Sequence, residues 1–155
     1  MTRAAVFVAT FGYIGYAPVA PGTFGSAAGL ALFYLLRATG SVWIEPVAIV
    51  ALFALGAWAG SAAERYFGGI DPAPVVIDEV LGMLVTLMFV PVTWAGALFG
   101  FLLFRLLDVV KPWPARRMES LHGGVGVMAD DAMAAVYGNI IMWLAVWYGP
   151  AWLTP

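Results

Sequence analysis

This sequence is poor in charge and has no cysteine at all. The missing thiols exclude disulfides, thiolate metal centres and cysteine nucleophiles. Only 10% of the 155 residues are charged and 63% are hydrophobic. Water-soluble domains carry roughly a quarter charged residues, so this composition is that of a membrane protein. A formal charge of −2, with neither a basic tail nor a basic helix face, leaves no footprint for nucleic acid. The length suits one domain over residues 1–155. The expected fold is all-α: a compact multi-span transmembrane helix bundle with short or re-entrant helices and a polar site at one membrane face, of unspecified oligomeric state.

What charge there is lies close together. Residues 105–131, RLLDVVKPWPARRMESLHGGVGVMADD, hold four of the seven basic residues, four of the nine acidic ones and the only histidine. So dense a charge island between apolar flanks marks a site.

Along the chain, MTRAAVFVATFGYIGYA opens with one arginine and an apolar run, as a signal peptide does. It merges into a Pro/Gly motif, however, which favours a short membrane-surface or half-inserted helix. Residues 17–26, APVAPGTFGS, read as a turn-rich loop, with Ser26 expected to N-cap the apolar run 27–36. Residues 37–45 form a small polar connection. The clearest span is 46–63, PVAIVALFALGAWAGSAA. Runs 80–90 and 93–107, separated by Pro91, are two short spans or a hairpin, and 132–148 is a final span with Trp and Tyr near its end. Gly25 with Gly29, Gly56 with Gly60 and Gly96 with Gly100 each form a GxxxG pair that permits close helix approach.

If these runs cross or double back in turn, loops 17–26, 64–79 and 105–131 share one side. Arg3, Arg65, Lys111, Arg116 and Arg117 then lie on that side, with Arg105 at its edge and Arg37 alone opposite. The positive-inside rule makes the shared side cytoplasmic.

Each loop has a chemical reading and a plainer one. Thr23 and Ser26, among glycines at a helix start, suit a phosphate cradle or a simple cap. Asp78 and Glu79 at a membrane boundary suit a metal or an acidic first turn, and their 100° separation on a helix suggests that one of them reaches the site. Arg105, Asp108 and Lys111, spaced three apart, share a helix face until Pro112 and Pro114 end it, and can grip a phosphate with its metal or form a salt-bridged helix end. Arg116 and Arg117 suit phosphate or anionic lipid. His122 is a candidate general acid, a ligand or a loop residue. Asp130 and Asp131 precede the last helix, where one can N-cap it. With Asp78, Glu79 and Asp108 they would complete an all-oxygen ligand set that favours Mg²⁺.

Three segments carry a resemblance. GYAPVAPGTFGS, VVIDEVLGM and FRLLDVVKPWPARRMESLHGGVGVMADDAMAAVYG are similar in order and spacing to the signature segments of the phosphatidylglycerophosphatase A family, over about residues 12–140. The resemblance implies a Mg²⁺-dependent inner-membrane enzyme that removes the terminal phosphate of phosphatidylglycerophosphate, giving phosphatidylglycerol and phosphate. By position it implicates Asp78, Glu79, Arg105, Asp108, Lys111, Asp130 and Asp131, with the Pro21 to Ser26 segment. The D-x-D-x-[TV] motif of aspartyl-phosphate enzymes is missing and one histidine cannot serve a phosphohistidine route, so direct attack by water is the favoured chemistry. The rivals are a small cation transporter using membrane-boundary carboxylates and an anionic-lipid binding protein without chemistry.

Overall fold

A computed structural model describes residues 2–118, 121 and 123–155. Among them are seven α-helices and no strand: α1 (Thr2–Ala9), α2 (Pro21–Arg37), α3 (Ile44–Phe67), α4 (Ile77–Leu87), α5 (Trp94–Val110), α6 (Ala115–Met118) and α7 (Gly124–Tyr148). Single 3₁₀ turns follow α1 at Ile14–Tyr16 and close the chain at Ala151–Leu153. Two helices, α3 and α7, are long and apolar enough to cross a membrane.

The centre is α4. It is apolar all round except for Asp78, Glu79 and Thr86, and ten of its eleven residues are buried, as expected for a helix with no solvent face. At 1.5 Å per residue it is about 16 Å long, half the thickness of a ~30 Å hydrocarbon core. The helices α2, α3, α5 and α7 pack around it. Large apolar side chains elsewhere point outward: Val50 and Leu55 on α3, Leu102 and Leu106 on α5, Ile140 and Leu144 on α7. An exterior this apolar around buried aspartates inverts the usual soluble pattern.

Glycines set the helix spacing. A Cβ on Gly25 would come within 2.8 Å of Val76, and one on Gly29 within 2.7 Å of Met83, so α2 lies backbone-close on α4. Gly56 and Gly60 receive Met128 and Gly124 of α7, while Gly100 receives Leu87 and Met142. Two GxxxG pairs therefore mark helix contacts, while of the third only Gly100 does so and Gly96 lies against the Leu153 carbonyl. From these pairings α2, α4 and α7 run one way and α3 and α5 the other, which brings the segments before α2, before α4 and between α5 and α7 to one end.

Two helix starts differ from the sequence expectation. Ser26 is not an N-cap: α2 begins five residues earlier at Pro21, whose fixed φ suits the first helical position, and Ala20 precedes it at φ 49° with no side-chain cap. Nor do Asp130 and Asp131 precede the last helix, because α7 begins at Gly124 and they stand in its second turn. Its end is capped from α3 instead: Gly123 N–H donates to Glu64 Oε2 at 3.0 Å and Gly124 N–H to Ser61 Oγ at 2.8 Å. Glu45, assigned to a connection, sits in the first turn of α3.

Candidate functional site

The site lies where four helix ends meet. Asp78 and Glu79 occupy the first turn of α4, where the partial positive charge of a helix N-terminus favours carboxylates. Asp130 and Asp131 come from α7, Arg105 and Asp108 from the last turns of α5, and Lys111 from its C-cap at φ 44°. The first turn of α2 closes the site. A Cβ on Gly22 would collide with Glu79 Oε1 and lie 3.1 Å from both terminal nitrogens of Arg105, so only glycine lets that backbone come so near.

Asp78, Glu79 and Asp131 each offer an oxygen within 4.8 Å of the others. Both members of the 78–79 pair therefore reach the site, where the 100° argument allowed one. Asp78 and Asp131 are 4% and 2% exposed. Asp78 Oδ1, Glu79 Oε2 and Asp130 Oδ1 are buried without a hydrogen-bond donor. Like charges held this close, with orphaned oxygens, repel strongly unless a cation lies between them.

The cations present are committed to other carboxylate oxygens. Arg105 Nη1 donates to Asp108 Oδ2 at 2.7 Å, reaches Ser26 Oγ at 3.4 Å and stands 3.9 Å from Glu79 Oε1. Buried Ser26 donates in turn to Gly22 O at 3.0 Å. Lys111 Nζ donates to Asp130 Oδ2 and lies 3.7 Å from Asp131 and 3.9 Å from Asp108. Burial alone would lower the pKa of Lys111, but the hydrogen bond to Asp130 and the fields of Asp131, Asp130 and Asp108 outweigh it and hold it above the ordinary lysine range.

The remaining candidates are farther out. Thr23 is exposed in the first turn of α2, and Arg116 and Arg117 are exposed on α6, with Arg117 over the Trp113 ring at 5.8 Å. His122 lies outside the described residues. Sequence reasoning passed over Glu64 and Ser61, which hold the start of α7. Their only sequence signal was a polar end on an apolar span.

Clustered carboxylates beside an arginine and a lysine equip a helical enzyme to handle a phosphate ester. The chain belongs to the phosphatidylglycerophosphatase A family, which it matches over residues 7–146, and it is a phosphatase of that family. A putative phosphatidylinositol-3-phosphatase of Bacteroides thetaiotaomicron is 40% identical over 140 residues, covering 86% of this chain and 87% of that protein. The phosphatidylglycerophosphatases A of Escherichia coli and Haemophilus influenzae are 35% and 36% identical over 132 and 125 residues, covering 83% and 79% of this chain and 76% and 77% of those proteins. No solved structure matches the chain.

Proposed function

We propose that this protein is a Mg²⁺-dependent phosphatidylglycerophosphatase of a bacterial-type cell membrane, with its site on the cytoplasmic face and α2 to α5 and α7 passing through or into the bilayer. The observation that carries the reading is the convergence of Asp78, Glu79 and Asp131 within 4.8 Å, with buried oxygens that no donor satisfies. An all-oxygen set without thiolate suits a hard divalent cation. The outward-facing apolar side chains and the Arg/Lys-rich end support the membrane placement and its orientation.

Charge arithmetic supports metal dependence as well. Asp78, Glu79, Asp108, Asp130 and Asp131 face Arg105 and Lys111, a formal balance of −3 from five carboxylates and two cations. A phosphate monoester bearing two negative charges would be repelled by that balance. One divalent ion leaves it at −1, and two bring it to +1. When bound there by Asp78, Glu79 and Asp131, the metal supplies charge neutralisation and a more acidic water.

The chain's own groups do the positioning. Arg105 is held by Asp108 and Ser26, and both its terminal nitrogens stand beside the Gly22 backbone, where they can receive phosphate oxygens. Lys111 donates to Asp130 and stands 3.7 Å from Asp131, so its positive charge offsets part of their mutual repulsion. The first turn of α2 closes over Glu79 and Arg105 at Gly22, where a Cβ would collide with Glu79 Oε1.

Purified protein is expected to release phosphate from phosphatidylglycerophosphate in mixed micelles with Mg²⁺ and to stop with chelator. Release undiminished by excess chelator would remove the metal from this reading. Faster release from phosphatidylinositol 3-phosphate would move the substrate to the one named for the Bacteroides relative. Release from neither lipid would overturn the function.

A further inference from the structure

Asn139 stands two turns beyond Asp131 on α7, and its hydrogen bonds go to α4 rather than to the carboxylates. Its Nδ2 donates to Thr86 O at 3.2 Å and to Met88 O at 3.0 Å. We propose that Asn139 is a positioning residue that fixes the register of α4 against α7, and with it the level at which Asp78 and Glu79 meet Asp131. This rests on the cation-site reading given above.

The register is visible in the numbering. The helices α4 and α7 run in the same direction. Asn139 follows Thr86 by 53 residues, and Asp131 follows Asp78 by the same 53. The contact at Thr86 and the cluster at Asp78 are therefore one alignment read at two levels, about 12 Å apart along both helices. Any slide of α4 at its lower end appears undiminished at its upper end.

The chemistry explains why an amide stands there. α4 stops at Leu87, and the last carbonyls of a helix have no partner within it. Orphaned carbonyls in an apolar interior are costly. The Asn139 amide nitrogen is a donor that serves two of them at once, and two carbonyl acceptors determine which way the amide faces. Beside it, Gly138 would place a Cβ 3.0 Å from Thr86 Oγ1 and 3.1 Å from Thr86 Cγ2, so its lack of a side chain lets Thr86 lie flat against α7. Thr86 Oγ1 is buried without a partner, which leaves the main-chain carbonyls as the groups that are held.

Other ties to α4 do not set this alignment. Glu45 accepts from Phe89 N–H at 3.1 Å, but it fastens the lower end of α4 to α3. Among the described residues no other side-chain hydrogen bond joins α7 to α4 or its C-cap. Asn139 is half-buried, and a single amide within an apolar helix interface is the best-attested polar device for fixing register. A slip of one residue is about 1.5 Å, roughly a third of the 4.8 Å within which the three ligand oxygens lie.

The test is a calorimetric titration of the purified full-length protein in detergent with Mg²⁺ alone, alongside steady-state turnover. Asn139→Leu removes both donors at similar volume. It is expected to weaken Mg²⁺ binding about threefold to tenfold, to raise the Mg²⁺ needed for turnover by the same factor, and to leave the KM for lipid at saturating Mg²⁺ unchanged. Asn139→Gln, which keeps a donor, is expected to recover part of the loss. Thr86→Val, at the same level but outside the hydrogen bonds, is expected to match the wild type. Should Asn139→Leu fail to fold, Asn139→Ala is read in the same way. Wild-type affinity in the Asn139 variant, or equal weakening in Thr86→Val, would overturn the register role. A wild type that binds no Mg²⁺ would instead overturn the cation site.

Discussion

Buried carboxylates lie at both ends of this molecule, and they are treated differently. At one end Glu45, 6% exposed, has both oxygens satisfied: Oε1 by Arg37 Nε at 2.7 Å and Oε2 by Phe89 N–H at 3.1 Å. At the other end Asp78, Glu79 and Asp130 each keep a buried oxygen with no donor. Both arrangements are costly to desolvate, but only the first repays the cost within the chain. A carboxylate with complete partners joins helices together. One left incomplete, among others of its kind, is arranged for something outside the chain. Glu64 also keeps a buried oxygen without a donor while its other oxygen caps α7, but it stands outside the cluster, so it is incompleteness among neighbouring carboxylates that separates scaffold from site here.

The sharpest way to break that comparison is to remove one carboxylate from each end. Asp131→Ala or Asp78→Ala is expected to reduce turnover by about 10³-fold while leaving the melting temperature in chelator equal or higher, because a mutual repulsion is relieved. Glu45→Ala is expected to do the reverse. It should keep turnover per folded molecule and lose roughly 2–3 kcal/mol of stability, less than the ~3–5 of a fully buried pair because the Arg37 side chain is 30% exposed. Mg²⁺ should raise the melting temperature of the wild type and of Glu45→Ala, but not that of Asp131→Ala. A stability loss at Asp131 equal to that at Glu45 would erase the distinction.

Next in size is Gly22→Ala. The added Cβ would meet Glu79 Oε1 and the Arg105 guanidinium, and displacing groups at a reacting centre by about 1 Å costs on the order of 10² in rate. Gly40→Ala, at the paired end, has nothing within 4 Å of its Cβ. Its φ of 71° makes it a test of backbone strain alone, which should lower the melting temperature and spare turnover. Equal rate losses at both glycines would show that the crowding at Gly22 has no special consequence.

Lys111 gives a smaller effect that depends on pH. Its folded pKa is raised, so while its aspartate partners are ionised its ion pairs contribute in full below the ordinary lysine value and are lost only as pH rises through the higher folded value. On the alkaline side the difference in melting temperature between wild type and Lys111→Met should hold steady up to about pH 10 and narrow only above about 10.4. A difference that narrowed already from about pH 8 to 9 would mean that Lys111 is not held by the aspartates.

Much of this was legible in the sequence, for identifiable reasons. Arg105, Asp108 and Lys111 could be placed on one face because a spacing of three is a local property of helices, and the glycine pairs because i to i+4 is equally local. The misreadings fell where long-range contacts replace local signals. Ser26 looked like a cap because hydroxyls usually are caps, yet Pro21 starts α2 and frees Ser26 to bond Gly22 and Arg105. Asp130 and Asp131 seemed to sit before α7 because its true start is capped by Glu64 and Ser61, some sixty residues away. Glu45 looked like connection because its second partner, the Phe89 N–H, is 44 residues distant.

The mildest expected change is at Arg116 and Arg117, which share the site end but are exposed on α6. Exposed charges act through a screened field, which reaches about 10 Å at 0.1 M salt and roughly 3 Å at 1 M. Arg116→Ala is expected to leave kcat within about twofold and to raise the KM on anionic vesicles about threefold, the loss of roughly 1 kcal/mol or less of surface attraction. That increase should disappear in neutral-detergent micelles and in high salt. The Arg105 counterpart gives the contrast: Arg105→Ala leaves Asp108 and Glu79 without their guanidinium in a buried setting, so its defect should persist at any salt concentration. If the Arg116 defect also resisted salt and detergent, the arginine would belong with the paired cations inside the site rather than with the membrane surface.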